Sequence, residues 1–481
     1  MDKPVAIALF SVVLSGCAQI VKDAGFPEVQ SVVSERLGQN LHWDQGRPED
    51  EAARGKVREL LAQELSADAA VQIALLNNPS LQATYEELGI AQAELVQAGL
   101  LRNPIFEARA RFPDRPPSAA NIELGIVQDF LDVLMLPARK RLGEAQFQET
   151  QLRISNEVFA LTGEVRSAYY SLVAAQQTTA VMREVAEVAQ VAYDLAKKFH
   201  EAGNIDDLSL ANEQALYEQA RLELAKSEAE VRRNREQVNI LMGLWGTDID
   251  CRTPERLPEL PSEDTGLDHL ESLAIAQRLD LAAAGKQVET LAQALGITRD
   301  WRYLATAEIG VNSERDTDRQ IVTGPTLSLE VPLFDRREAK IARGEASLRQ
   351  AEKRLRALAI KIRSEVRGTR DRMLTARNLI GHYQSTLVPL RERIVELSQE
   401  QYNYMLIGAA DVLLAKQNAI TGYRDYVAAY REYWTARSDL EAAVGGRLPG
   451  TDGDARTSKS EARTPSSAHV HHGGHSHVES P

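Results

Sequence analysis

"AKKFHEAGNIDDLSLANEQALYEQA" at residues 196–220 recurs in pattern as "NYMLIGAADVLLAKQNAITGYRDY" at 403–426, aligning Gly203 with Gly408 and Leu208 with Leu413. Each copy turns one amphipathic stretch into another. Gly203 suits the left-handed position that ends a helix and Asp206 suits the N-cap of the next; Gly408 and Asp411 repeat the arrangement. Upstream, "IELGIVQDFLDVLMLPARKRLGEAQ" (122–146) recurs as "TLSLEVPLFDRREAKIARGEAS" (326–347), aligning Phe130 with Phe334. Such self-similarity means that one supersecondary unit is used twice.

Each unit reads as short helix, two strands, long helix, tight turn, helix. In the second, Leu355, Ala359, Ile362, Val366, Thr369, Met373, Ala376, Ile380, Tyr383, Leu387, Leu390, Ile394 and Leu397 alternate steps of four and three. That is the seam of a coiled coil. The first unit offers Val158, Leu161, Val165, Ala168 and Leu172, then Val181, Val185, Val188, Ala192, Leu195 and Phe199. Helices of about 60–70 residues would run about 90–105 Å, far beyond a compact domain. Pro389 predicts a kink in the second of them.

The strands are "RNPIFEARARF" (102–112), "ANIELGIVQDF" (120–130), "RYLATAEIGVN" (302–312) and "GPTLSLEVPLF" (324–334). The last alternates cleanly, with Leu327, Leu329, Val331 and Leu333 on one face and Thr326, Ser328 and Glu330 on the other. Polar, turn-rich "PDRPPSA" and "SERDTDRQIVT" separate the members of each pair. Such segments suit a transmembrane barrel, although a soluble amphipathic hairpin reads alike.

The 481 residues are 43% apolar, 26% charged and only 5% aromatic, which favours long helices over a compact mixed core. The net charge of −13 is interspersed and leaves no basic face, which argues against a nucleic-acid partner. Cys251 has no partner at metal-ligand spacing. Cys17 follows Lys3 and an apolar run from Val5 to Leu14, too short to span a bilayer and shaped like a signal-peptide core. Leu14-Ser15-Gly16-Cys17 resembles a bacterial lipobox, in which the cysteine becomes the lipid-bearing first residue; a buried structural cysteine is the competing reading. Ala18, in place of an aspartate, is compatible with transfer to the outer membrane.

Four strands are too few to close a barrel and in lipid would leave their edges unsatisfied. The long helices likewise lack a core in isolation. Both problems vanish if several chains pool strands into one barrel and helices into one cylinder. The fold class expected is therefore mainly α with a small β portion: duplicated coiled-coil hairpins forming an α-barrel, with four strands per chain in a shared β-barrel.

With its lipobox, its duplicated unit and the turns "AGNIDDLSLANEQ" and "IGAADVLLAKQ", the chain resembles the TolC-type outer-membrane efflux family over about residues 65–447. The resemblance implies a homotrimer with a twelve-stranded barrel and a helical tunnel across the periplasm of a Gram-negative bacterium. A periplasmic adaptor and an inner-membrane pump, of the RND type, would be its partners, and outer-membrane lipid its surroundings. On this reading residues 1–16 are the signal peptide, 17–65 an N-terminal periplasmic segment, 66–244 the first repeat, 245–275 a belt connection, 276–447 the second repeat and 448–481 a tail. The turns at 203–207 and 408–411 would narrow the tunnel at its periplasmic tip. There Asp206, Asp207 and Asp411 would form threefold acidic rings that attract cations, or would serve only as helix caps. Some members restrain the tip with a Tyr and an Arg flanking the second glycine; Met405 and Ala410 stand here instead.

His42, His200, His269 and His382 are scattered, and the HExxH, nucleophile-elbow and P-loop patterns are missing, so the expectation is a passive conduit that requires no cofactor, not an enzyme. The alternative is a lipid-anchored periplasmic coiled-coil protein that binds metal or scaffolds others without a pore. The tail "SSAHVHHGGHSHVESP" holds His469, His471, His472, His475 and His477. Histidine tracts of this kind bind Cu, Zn or Ni ions through neutral imidazole, which points to heavy metals such as copper as cargo; a merely solvated tail is the alternative.

Overall fold

The computed structural model describes residues 23–115, 119–262, 264, 267–304 and 306–448. Cys17, the segment before it read as a signal peptide, and all five tail histidines lie outside the described residues. Two short helices, α1 (Phe26–Leu37) and α2 (Glu49–Leu61), lead into the first repeat: α3 (Ala67–Asn77), α4 (Pro79–Ala98), β1 (Ile105–Arg111), β2 (Asn121–Asp129), α5 (Phe130–Glu201) and α6 (Asp207–Met242). A 3₁₀ turn at Gly246–Ile249 opens the connection to the second: α7 (Leu270–Gln277), α8 (Leu279–Asp300), β3 (Ala307–Arg315), β4 (Ile321–Leu329), α9 (Glu338–His382), α10 (Val388–Asn403) and α11 (Ala409–Val444).

Local chemistry sets these bounds. Asn78 ends α3 and caps α4 by accepting from Leu81 N–H at 2.9 Å, with Pro79 at the first helical position. Asp129 likewise caps α5, whose 72 residues extend about 108 Å at 1.5 Å each. Gly243 ends α6 at φ +68°, and a Cβ there would lie 2.5 Å from the Asn77 carbonyl, so this junction requires glycine twice over.

Helices α4, α5, α8 and α9 pack side by side near the sheet; α6, α5, α11 and α10 do so towards the tip. The result is a palisade with α5 and its second-repeat neighbours inside and open edges at α4 and α6 on one side, α9 and α10 on the other. In the first repeat the core joins Val29 and Val33 of α1, Leu75, Tyr85 and Leu88 to Ile154, Val158, Val165 and Leu172 of α5. In the second, Ile362, Val366, Met373, Ala376 and Ile380 of α9 meet Tyr433, Ala436, Leu440 and Val444 of α11, as the heptads predict. The connection straps both hairpins: Thr253 and Leu257 bond Gln176 and Gln177 of α5, and Pro258, Pro261, Ser262 and Asp264 bond side chains of α9 and α11.

The lower halves of both seams depart from expectation. In α5 the buried positions are Thr179, Met182, Ala186 and Ala196, whereas Val188, Leu195 and Phe199 are exposed. The inward row keeps its seven-residue step from Leu172 through Thr179 to Ala186, which leaves Val181 and Val185 half-buried and Val188 on the open face. In the second repeat a π turn at Tyr383–Leu387 lies just before Pro389, where the kink is expected. Pro389 has no N–H to donate to the carbonyl four residues back, and the helix widens by one residue just before it. That extra residue shifts the seam: Val388, Arg391, Val395 and Ser398 turn half inward while Leu390, Ile394 and Leu397 are exposed.

Candidate functional site

The four strands form one antiparallel sheet in the order β1-β2-β3-β4. β2 and β3, from different repeats, pair centrally from Asp129 opposite Glu308 to Ile122 opposite Arg315. β3 and β4 lie nearer the loop than the sequence suggests. Residues 313–315 and 321–323, read as loop, pair as strand, with Ser313 and Thr323 hydroxyls 3.0 Å apart, and only Asp316–Gln320 turns. Val331, Leu333 and Phe334 fall past the strand, fully in the open. Phe130 begins α5 whereas Phe334 precedes α9 by several residues, so the aligned phenylalanines do not play equivalent parts.

Register separates the two faces of the sheet. One carries Phe106, Ala108, Ala110, Ile122, Leu124, Ile126, Ile309, Val311, Ile321, Leu327 and Leu329. Its large chains are exposed; Phe106 is 68%, Ile126 49% and Leu327 64% accessible. The other carries Glu107, Arg109, Arg111, Glu123, Asn312 and Glu314; Glu123 lies 3.6 Å from Arg109 and 3.5 Å from Arg111 and accepts from Asn312 at 2.8 Å. An apolar outside, a polar inside and unpaired edges at β1 and β4 are what a lipid-facing barrel segment requires. Among the described residues no helix is long and apolar enough to cross a membrane.

At the opposite end, α5 closes with Gly203 at φ +73°, where Asn204 N–H reaches the Phe199 carbonyl at 2.8 Å. Asp206 caps α6, accepting from Ser209 N–H at 2.9 Å, and the Ser209 hydrogen bonds hold its carboxyl below the usual carboxylate range. Asp207 is 98% exposed on its side chain and meets His200 Nε2 at 2.7 Å. In the second turn Leu406 N–H reaches the Gln401 carbonyl at 2.9 Å, and the left-handed residue is Met405, at φ +61°. Gly408 is the N-cap, in extended backbone, and Asp411 sits inside the first helical turn, its Oδ2 accepting from Gly408 N–H at 3.1 Å. Geometry therefore equates Gly203 with Met405 and Asp206 with Gly408. The glycine-on-glycine alignment is three residues out, nearly one helical turn, which is why the apolar pattern concealed it. Asp411 is a capping residue, although not the N-cap itself.

A left-handed methionine is costly, about 1–2 kcal/mol. Met405→Gly is therefore expected to slow amide exchange at Met405 and Leu406 by about two- to fivefold, part of the gain being offset by unfolded-state entropy. Unchanged or faster exchange would contradict a strained turn.

Sequence reading missed the Asp264 carboxylate, 4% exposed, which accepts from Tyr433 at 2.7 Å, Arg377 at 2.9 Å and Arg437 at 3.1 Å. Nothing in the local sequence marks it, because its partners lie more than a hundred residues away. Among the described residues no group of three or more His, Cys, Asp or Glu side chains is placed to hold a metal ion.

A duplicated helical hairpin carrying an unclosed sheet, apolar on one face, is the build of a membrane-channel protomer. The chain belongs to the outer membrane efflux protein family, of TolC type, whose model matches residues 70–244 and 270–446. It is 20% identical over 398 residues to the cobalt-zinc-cadmium resistance protein CzcC of Cupriavidus metallidurans, covering 79% of this chain and 90% of that protein. The Campylobacter jejuni CmeC outer membrane channel shares the fold with a TM-score of 0.69 at 16% identity, over 82% of this chain and 88% of that one. The outer membrane protein VceC of Vibrio cholerae does so with a TM-score of 0.67 at 17% identity, over 79% and 96%.

Proposed function

We propose that three copies of the chain assemble into the exit duct of a tripartite efflux system and passively conduct heavy-metal cations, copper among them, to the cell exterior. The single observation that carries this reading is the exposed apolar face of the sheet, on a chain whose helices leave two open edges. Twelve pooled strands satisfy the edges at β1 and β4. Closure would also cover Leu208, Leu222 and Ile240 at the α6 edge and Ile360, Leu390 and Leu397 at the α9–α10 edge, all exposed in one chain. A pore-free scaffold has no use for that sheet.

In this reading residues 1–16 are removed, Cys17 carries lipid, and the segments before residue 65 and at 245–275 gird the tube. The tips dock on a periplasmic adaptor, beyond which stands an inner-membrane pump of RND type. Support for a metal cargo is the resistance named for the Cupriavidus relative, together with the histidines 469–477. Deleting the gene is expected to sensitise cells to copper, zinc, cobalt or cadmium more than to drugs, and truncation after Gly450 to weaken resistance while trimers still assemble. Sensitivity to drugs alone would overturn the cargo.

Asp207 faces solvent, and Asp206 and Asp411 keep lone pairs beyond their capping bonds, so threefold rings at the tip would favour cations. Neutralising Asp207 and Asp411 together is expected to lower cation selectivity severalfold in planar bilayers at low salt, where screening is weak. Unchanged selectivity removes the ring from the mechanism.

A further inference from the structure

The two open edges of the palisade beside the sheet are opposite in charge. α4 holds Glu86, Glu87 and Glu94 and no cation, whereas α9, between Lys340 and Arg363, sets eight cations against Glu345 and Glu352. Each edge exposes a row at steps of three and four: Ala83, Glu86, Ile90, Ala93 and Gln97 on α4, and Ala346, Gln350, Lys353, Ala357 and Ile360 on α9. Along the second row Ala346, Arg349, Gln350, Lys353, Arg354 and Ala357 line an open groove of about 430 Å³. The duplication says what belongs there. A Cβ at Gly143 of α5 would meet Leu95 of α4 at 3.3 Å, and one at Gly344 of α9 would meet Leu295 of α8 at 3.0 Å, so α4 corresponds to α8 and α5 to α9. Within the chain α5 also packs on α8 of the other repeat. The corresponding neighbour for α9 is an α4, which can come only from another copy. The charges agree: Arg153 of α5 bonds Glu87 of α4, but its counterpart Arg354 finds Gln287 at the glutamate's place and has no ion pair among the described residues, and neither has Glu94.

Given the three-copy duct proposed above, on which this rests, we infer that α4 of one copy seats antiparallel in the α9 groove of the next, and that charge keys this half of the contact. With Ala93 opposite Gln350 the two rows interlock throughout: Gln97 meets Ala346, Ile90 the stem of Lys353, Glu86 Ala357, and Ala83 Ile360. A lysine stem covers an apolar neighbour while its head stays in water. The positions flanking the seam then set Glu87 and Glu94 against Arg354 and Lys361, opposite charges where an antiparallel coiled coil selects its partner. The strands require the same neighbours. α4 leads into β1 and β4 leads into α9, so pairing the two unpaired sheet edges between copies lays these helices side by side. Ile90 is the one large apolar side chain in the exposed α4 row, so little apolar area holds this half. Towards the tip the edges carry Leu208, Leu222, Leu390 and Leu397 instead. Salt therefore loosens the contact near the sheet and spares the contact near the tip.

In the full-length protein in detergent, A93C/Q350C is expected to give disulfide-linked trimers on non-reducing gels after mild oxidation; Cys251 is buried and does not compete. Neither single variant should link, and nor should A83C/Q350C, whose positions lie about 15 Å out of register. Glu94 and Arg354 are both exposed, so reversing their charges leaves the protomer folded. E94R and R354E should each lower the temperature at which trimers dissociate by about 2–4 °C in low salt, the effect of one exposed pair turned repulsive. The exchange E94R/R354E should recover most of that loss, and at about 1 M NaCl all three should match the wild type. Trimers that form without the A93C/Q350C link, or an exchange whose two losses simply add, would overturn the pairing and leave the duct standing. A wild type that is monomeric in detergent would remove the duct, and this contact with it.

Discussion

Ile126→Arg is expected to keep the protein out of the outer membrane while leaving its helices folded. Ile126 lies mid-strand in β2, with Phe106 beside it on β1 and Val311 on β3, so it stands at the centre of the apolar face. An arginine on the lipid face of a barrel costs roughly 2–4 kcal/mol near the bilayer midplane, and a trimer would incur that cost three times. The strand itself tolerates the change, because the side chain projects away from the ladder. Thr326→Arg, on the polar face beside Gly310, is the matched control and should insert normally. The measurements are membrane fractionation, heat-modifiable trimers on gels and far-ultraviolet circular dichroism. Wild-type amounts of the Ile126 variant in the outer membrane would show that this face does not meet lipid.

Legibility followed the range of the interactions. Local period identified the alternating strands, the upper seam of α5 and the seam of α9, because hydrophobic spacing is written into consecutive residues. Ile362, Val366 and Met373 were readable for that reason. The seam beyond Pro389 was not, since one inserted π residue rotates every later side chain by about 100°. At the tips, glycine was a misleading marker. In the second turn Gly408 serves as a cap and Met405 takes the left-handed conformation, which no propensity announces. The hydrogen bonds from Asn121 of β2 to Glu314 and Asp316 and those to Asp264 were invisible because each joins residues from different repeats or from the connection between them.

Asp264→Ala is expected to lower the helical melting midpoint by about 5 °C or more and to loosen the second hairpin. The carboxylate is buried on the strap between the repeats and holds Arg377 of α9 together with Tyr433 and Arg437 of α11. Removing it leaves one hydroxyl and two largely buried guanidiniums short of an acceptor, and breaking a buried pair from one side costs about 3–5 kcal/mol. The lower end applies, because Arg377 also donates to the Pro261 and Ser262 carbonyls and Arg437 lies 3.9 Å from Glu441. Burial and the Asp264 hydrogen bond push the Tyr433 hydroxyl up to about 12. Loss of Asp264 should therefore bring its titration down as well as weaken the fold. Asp264→Asn keeps an acceptor for Tyr433 and loses the charge, so it should fall between wild type and alanine. Tyr433→Phe in the Asp264→Ala background should cost less than in the wild type, since the hydroxyl has already lost its acceptor. The strap is where a connection outside both repeats grips the helices of the second, while α5 runs unbroken beside it. A variant that melts within about 1 °C of wild type would mean that apolar packing of Tyr433, Leu440 and Val444 alone holds α9 against α11.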